Sequence, residues 1–233
     1  VDSIAVHRAV AGHLMAAAMA AEKVALIFGS CPSSGWEDLR RYCPAPDFVI
    51  AADGGIKCAR SAGYLPDLLI GDWDSGGGPE SDIPSLTLPP EKDLTDLQAA
   101  AEIALQRSYS KIVLTACLGG RLDQSVANLH LLEWIYDQGG SGVLVDDGNI
   151  AFFWDGTPLI LEREKGYQFL SILPLDRHIE GVSLQGVKYP LVNASLTRGS
   201  TLSISNEIVA SQAHLSAKNG RMLVIRSRNF LFQ

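Results

Sequence analysis

Six aspartates carry the residue type and spacing from which catalysis could be built: Asp53, Asp72, Asp74, Asp93, Asp96 and Asp123. Each stands where a strand should end or a helix begin. They lie in short turn-like segments: Ala52-Asp53-Gly54-Gly55, Gly71-Asp72-Trp73-Asp74-Ser75, Lys92-Asp93-Leu94-Thr95-Asp96 and Gly119-Gly120-Arg121-Leu122-Asp123. Carboxylates brought repeatedly to one edge of a sheet repel and raise each other's pKa unless a cation sits among them. A hard, oxygen-seeking ion such as Mg²⁺ suits them, and Mg²⁺ usually arrives with nucleotide phosphates. The pattern points to an enzyme.

Each segment also has a plainer explanation. Asp72 and Asp74 are two apart, so on an extended strand end both carboxylates point the same way. They follow an apolar strand at its carboxyl end, where open α/β sheets bind ligands. A lone Asp-x-Asp is more often a turn; the strand in front and the similar sites elsewhere favour function here. Asp93 and Asp96 bracket a helix start, where an acid gains about 0.3–1 kcal/mol from the dipole. Thr95 can cap that helix alone, which leaves Asp93 unexplained by capping. Gly119–Asp123 follows a strand and opens a helix, a place for backbone N–H groups to receive an anion, with Arg121 adding a bidentate contact. Tight turns use glycine anyway, and Asp123 fits a capping acid. Asp53-Gly54-Gly55 by itself reads as a structural turn. Trp36, Trp134, Trp154 and His130 read as packing residues, and Trp73 fits either role.

These residues need elements to position them. Val24–Phe28, Phe48–Ala52, Asp67–Ile70, Lys111–Thr115 and Val143–Val145 are continuous apolar runs of the kind found in buried parallel strands. Trp36–Tyr42, Ile56–Ala62, a segment from Thr95 through Leu105, and Asp123–Tyr136 read as helices between them. Thr95 with Gln98 three residues on matches a capping box. Gly76–Pro90 reads as a surface loop. After Asp146–Asn149 the helical signals stop. The runs Ile150–Trp154, Leu159–Leu161, Tyr167–Leu173, Ile179–Leu184, Thr201–Ile204, Ala213–Ser216 and Met222–Arg226 then predict short strands separated by turns. The predicted architecture is an N-terminal open, mainly parallel α/β sheet with flanking helices, then a C-terminal antiparallel β-sandwich. The domains are expected at 1–22 (a helical extension), 23–146 (nucleotide-binding, catalytic) and 147–233.

The bulk composition agrees. Hydrophobic residues make up 47% of the 233 and charged residues 19%, enough apolar material for a packed core. A net charge of −7 without any basic run argues against a sequence-independent grip on nucleic acid. The four cysteines are scattered without metal-ligand spacing, so reduced thiols are expected. The apolar stretch Leu14–Ala21 is too short to cross a bilayer, and the expected location is the cytoplasm.

Taken in order, the segments resemble the thiamine pyrophosphokinase family. The likeness rests on Asp53-Gly54-Gly55, Pro66–Ser75, Lys92–Asp96, Leu118–Gln124 with Asn128-Leu129, Gly186–Leu191 and Arg198–Glu207, and runs from about Val24 to Arg228. It implies a nucleotide domain, a β-sandwich that binds thiamine, and a homodimer with thiamine between subunits. It assigns Asp72, Asp74, Asp93 and Asp96 to Mg²⁺ and the ATP phosphates. By the same likeness Asp72, Asp74, Asp96, Arg121 and Asp123 are catalytic. Asp53, Gly54, Lys92, Asp93, Gly119, Gly120 and Arg121 would bind ATP, and Ser203, Ser205 and Asn206 would bind thiamine. Gln124 stands where many bacterial members have His, and Trp73 where Phe is usual. The implied reaction is attack of the thiamine hydroxyl on the β-phosphorus of ATP, with AMP leaving. Asp74→Asn is expected to cut turnover by orders of magnitude without unfolding the chain. A non-catalytic thiamine or nucleotide sensor is one alternative. The other is a Mg-dependent phosphatase using Asp72 and Asp74, which leaves Gly119–Asp123 and the β half without a role.

Overall fold

The computed structural model describes residues 22–33, 35–72, 82–89, 91, 93–146 and 148–229. These form two compact units, divided between Ile150 and Ala151. The alanine-rich stretch before Glu22 lies outside the described residues.

The first unit is an open parallel sheet. Its strands are β1 (Val24–Phe28), β2 (Phe48–Ala52), β3 (Leu68–Gly71), β4 (Ser85–Thr87), β5 (Lys111–Thr115) and β6 (Ser141–Asp146). They run in the order β4-β3-β2-β1-β5-β6, and each neighbouring pair is parallel. Every strand but β4 is almost wholly buried, which explains why these runs are apolar without alternation. The helices are α1 (Glu37–Tyr42), α2 (Gly55–Ala62), α3 (Asp96–Gln106) and α4 (Leu122–Asp137). α3 lies on β1, β2 and β3, and α4 on β6. Thr95 caps α3 by accepting the Gln98 N–H at 3.2 Å, and Gly63 ends α2 in the left-handed conformation that glycine tolerates best.

The sequence wanders from β1 out to β4 and then returns to place β5 on the other side of β1. The strand order reverses between β1 and β5, and the carboxyl ends at such a reversal are the usual ligand site in open sheets of this kind. Backbones meet closely there: a Cβ on Gly29 would lie 2.5 Å from the Ala116 carbonyl oxygen, and one on Gly55 would strike the Phe28 carbonyl oxygen. Gly29 and Gly55 are therefore glycines because a neighbouring backbone occupies the side-chain space.

The second unit is antiparallel. β7 (Asn149–Trp154), β13 (Met222–Ser227) and β9 (Phe169–Pro174) are neighbours in one sheet. β11 (Leu191–Thr197), β10 (His178–Gln185), β12 (Gln212–Ser216) and β8 (Leu159–Glu162) form the other in that order. β8 and β9 alternate buried and outward positions, so each sheet gives one face to a shared core, as in a β-sandwich. The β10–β11 register shifts around Gly181, a bulge that bends the pair.

Three local expectations need correction. Ser85–Thr87, inside the predicted surface loop, pairs with β3 as the exposed edge strand β4. β11 was not predicted, and only Leu196 of its seven residues is buried, so it carries almost no apolar signal. Thr201–Ile204 is not a strand. Ile204 N–H closes a turn on the Thr201 carbonyl, and Ser205 follows with a φ of 57°.

Candidate active site

Topology alone brings the acidic turns to one edge. Asp53 follows β2 with a φ of 51° and donates its N–H to the Ile70 carbonyl at 2.7 Å, tying the β2 turn to the end of β3. Gly54 is the residue ahead of α2. Asp72 is the first residue past β3 and is half-buried. β4 runs parallel to β3, and β5 must be entered from the opposite end, so α3 has to begin at the carboxyl edge. Exposed Asp93 and half-buried Asp96 therefore lie at the edge that holds Asp72. α4 joins parallel β5 to β6 and begins there too, with Gly119, Gly120, Arg121 and Asp123. Asp74, Trp73 and Lys92 lie outside the described residues. Among the described residues, no three acids, histidines or cysteines stand close enough to hold a metal.

The turn after β5 is the most elaborately held part of this edge. Ala116, Gly119 and Gly120 have φ values of 53°, 105° and 63°. Nothing lies within 4 Å of a Cβ built on either glycine, so the two are glycines for their backbone angle and not for want of space. Buried Asp146, the last residue of β6, accepts the N–H groups of Cys117 and Leu118 on a single oxygen, both at 2.9 Å. Asn128, buried in α4, donates to the Cys117 carbonyl at 2.8 Å. Ser125 Oγ accepts the Gly119 N–H at 3.0 Å. Of the N–H groups expected to await an anion, that of Gly119 is thus already engaged within the chain.

Arg121 and Asp123 form a forked, exposed pair: Nε reaches Oδ1 at 3.1 Å and a terminal nitrogen reaches Oδ2 at 2.5 Å. The guanidinium hydrogen bond holds the Asp123 carboxyl below its ordinary range, and Asp123 raises Arg121 in return. Beside this turn, Cys31 donates its thiol to the Gly119 carbonyl at 3.3 Å. Burial, then the negative Asp146, pushes the Cys31 and Cys117 thiols up, so both stay protonated. Sequence reasoning passed over Asp146 and Ser125. Asp146 carried the same signal as the other acids, an aspartate ending an apolar strand, but it lay in a run read as a boundary.

A cleft of about 230 Å³ lies between the start of α3 and α4, lined among others by Thr95, Gln98, Asn128, His130 and Trp134. His130 is exposed on it and not packed inside, as its place in the helix pattern suggested.

In the second unit, Ser203 donates to the Ile172 carbonyl at 2.6 Å. Asn206 Oδ1 accepts the N–H groups of Tyr189 and Glu207, while Nδ2 donates to the Tyr189 carbonyl at 2.7 Å. Both side chains are buried and pin their segment to its neighbours. Ser205 between them is exposed, with its backbone N–H on Ser171 Oγ. Tyr189, Leu202 and Ile204 leave apolar surface around it.

A carboxyl edge of this make-up belongs with enzymes that move phosphoryl groups between a nucleotide and a small acceptor. Comparison with known proteins narrows the class. The family model for "Thiamin pyrophosphokinase, catalytic domain" matches residues 39–143, and that for "Thiamin pyrophosphokinase, vitamin B1 binding domain" matches residues 159–222. The thiamine pyrophosphokinase of Bacillus subtilis (strain 168) is 32% identical over 196 residues, 82% of this chain and 92% of the relative. The crystal structure of the Bacillus subtilis enzyme matches with a TM-score of 0.81 at 28% identity, covering 89% of this chain and 100% of that one. The Geobacillus thermodenitrificans structure matches at 0.77 and 29%, covering 90% and 100%. The chain belongs to the thiamin pyrophosphokinase family. It is a transferase of the kinase type, a thiamine diphosphokinase, and neither the sensor nor the phosphatase reading is favoured.

Proposed function

We propose that the chain transfers the pyrophosphoryl group of Mg-ATP to the hydroxyl of thiamine, giving thiamine diphosphate and AMP. The hydroxyl oxygen bonds to the β-phosphorus, the bond between that phosphorus and the α–β bridging oxygen breaks, and AMP departs with the bridging oxygen. The observation that carries this reading is the delivery of Asp72, Asp93 and Asp96 to the carboxyl edge of one parallel sheet. The donor set fits a hard cation, since it is all carboxylate oxygen without thiolate or imidazole. Asp72, Asp74, Asp93 and Asp96 would hold Mg²⁺, which when bound neutralises charge on the phosphate oxygens. An ion that arrives with the nucleotide keeps phosphate and water ligands, so the protein need not close a cluster of its own.

The chain's residues have separable tasks. Asp53, Gly54, Lys92 and the Gly119–Arg121 turn bind and orient the nucleotide, and Arg121 turns from Asp123 toward a phosphate oxygen. Asp96 or Asp72 accepts the hydroxyl proton. The first unit is the nucleotide domain and the second the thiamine domain. There, exposed Ser205 is the direct contact, and Ser203 and Asn206 shape the segment that presents it. A homodimer with thiamine between subunits is supported by the family likeness and by the apolar Tyr189, Leu202 and Ile204 around Ser205. No helix among the described residues is long and apolar enough to cross a membrane, and a cytoplasmic location is part of the proposal.

Purified protein given thiamine and Mg-ATP should release thiamine diphosphate and AMP in equal amounts. EDTA should stop the reaction and added Mg²⁺ restore it. Asp72→Asn should lower kcat roughly 100-fold or more with an unchanged circular dichroism spectrum. ADP in place of AMP, or binding without turnover, would defeat the reading. A sedimentation measurement that finds only monomer at assay concentration removes the dimer.

A further inference from the structure

We propose that Asp146 is a positioning residue for nucleotide binding: it fixes the turn Ala116–Arg121 from beneath by holding the Cys117 and Leu118 amides, and does not itself meet the substrate. The inference rests on the reading that this turn receives the ATP phosphates.

The geometry points this way from several sides. Ala116 is a non-glycine residue at a φ of 53°, a conformation that persists only where its surroundings impose it. The imposing contacts are present. The Cys117 peptide is gripped at its N–H by Asp146 and at its carbonyl by Asn128, and the next N–H goes to the same Asp146 oxygen. Cys31 N–H holds the Ala116 carbonyl at 2.9 Å, and Ser125 holds the Gly119 N–H. The turn is thereby tied to the segment after β1, to α4 and to β6 together. Asp146 is only 5% exposed, and one of its oxygens is committed to two amides, so it is badly placed to serve as a ligand or a base. Its negative charge also helps keep the Cys31 thiol protonated, which leaves that thiol a donor to the Gly119 carbonyl. Charge-assisted bonds to backbone amides are among the stronger hydrogen bonds available, so the anchor is stiff.

The test compares Asp146→Ala, Asp146→Asn and Ser125→Ala in the full chain. Two readouts are used: amide hydrogen exchange across residues 116–121, and steady-state kinetics with ATP varied at saturating thiamine. Asp146→Ala should speed exchange at Cys117 and Leu118 and raise KM for ATP roughly tenfold, with kcat and KM for thiamine changed less than about threefold. Asp146→Asn keeps an acceptor oxygen and should stay within about threefold of the parent in every constant. If Asp146→Ala does not fold, Ser125→Ala tests from the other end whether a rigid turn is needed: it frees Gly119 and the Arg121 carbonyl and should raise KM for ATP by a few-fold, while exchange at Cys117 and Leu118 in Asp146→Asn still reads the Asp146 anchor. The proposal is overturned by parental exchange and KM in the alanine variants. It is also overturned by an Asp146→Asn enzyme that folds and exchanges normally but loses kcat, since the charge would then act on the reaction itself. Should the parent protein make no thiamine diphosphate, the functional reading fails, while the exchange data still decide whether Asp146 anchors the turn.

Discussion

At the scale of single residues, the Arg121–Asp123 pair shows a guanidinium at the carboxyl edge that is already partnered by a carboxylate. The guanidinium is spent on a neighbouring carboxylate in full view of solvent, and under the proposed function ATP competes for it. Arg121→Ala should therefore raise KM for ATP and let the Asp123 carboxyl drift up toward its ordinary range. The sign is fixed: the depressed carboxyl keeps the pair intact above the ordinary carboxylate range and releases it as pH falls through the lowered value. A ¹³C titration of Asp123 in both proteins checks this, and identical curves would refute it. Asp53, Asp72, Asp93, Asp96 and Asp123 could be picked from the sequence because each sits at a strand end or helix start that the apolar pattern announces. Asp146 ends an apolar strand as they do, but it lies in a run that reads as a domain boundary, and its partners, 28 and 29 residues away, reach it only on folding. Ser203 and Asn206 illustrate the converse: their place in a motif says where the segment matters, and only their hydrogen bonds reveal that they hold it from within.

At the scale of elements, the site depends on where helices start and how tightly strand ends pack. Thr95→Ala removes the side-chain cap of α3 and should cost about 1 kcal/mol in urea unfolding. The acids flanking it lose rigidity, so kcat should fall as well. Gly29→Ala sets a methyl group against the Ala116 carbonyl and should cost roughly 1–3 kcal/mol, with the turn after β5 displaced. Unchanged unfolding midpoints would contradict either statement. The buried parallel strands were legible because burial on both faces demands unbroken apolar runs. β4 and β11 were not, since strands with little or no buried surface need no such runs. Thr201–Ile204 misled for a different reason: its polar–apolar alternation imitates a strand, but its backbone bonds close a turn and the left-handed Ser205 redirects the chain.

At the scale of the whole molecule, buried thiols set an alkaline limit on stability. Burial, opposed by Lys111 and aided by Asp47, pushes the Cys43 thiol from 9.0 up to about 11. Between those values the unfolded chain gives up the proton and the folded chain keeps it, so stability is full below about pH 9 and falls as pH rises toward 11. Melting temperature measured from pH 8 to 10.5 should decline, and Cys43→Ala should flatten the slope; parallel curves would exclude this residue as a cause. A last consequence comes from β4, whose three exposed residues form one border of the parallel sheet between Pro84 and Pro89. Proline has no amide hydrogen, so an approaching foreign strand would find too short a ladder to extend. Short length and flanking prolines together guard that border against fibre-like stacking of crowded copies.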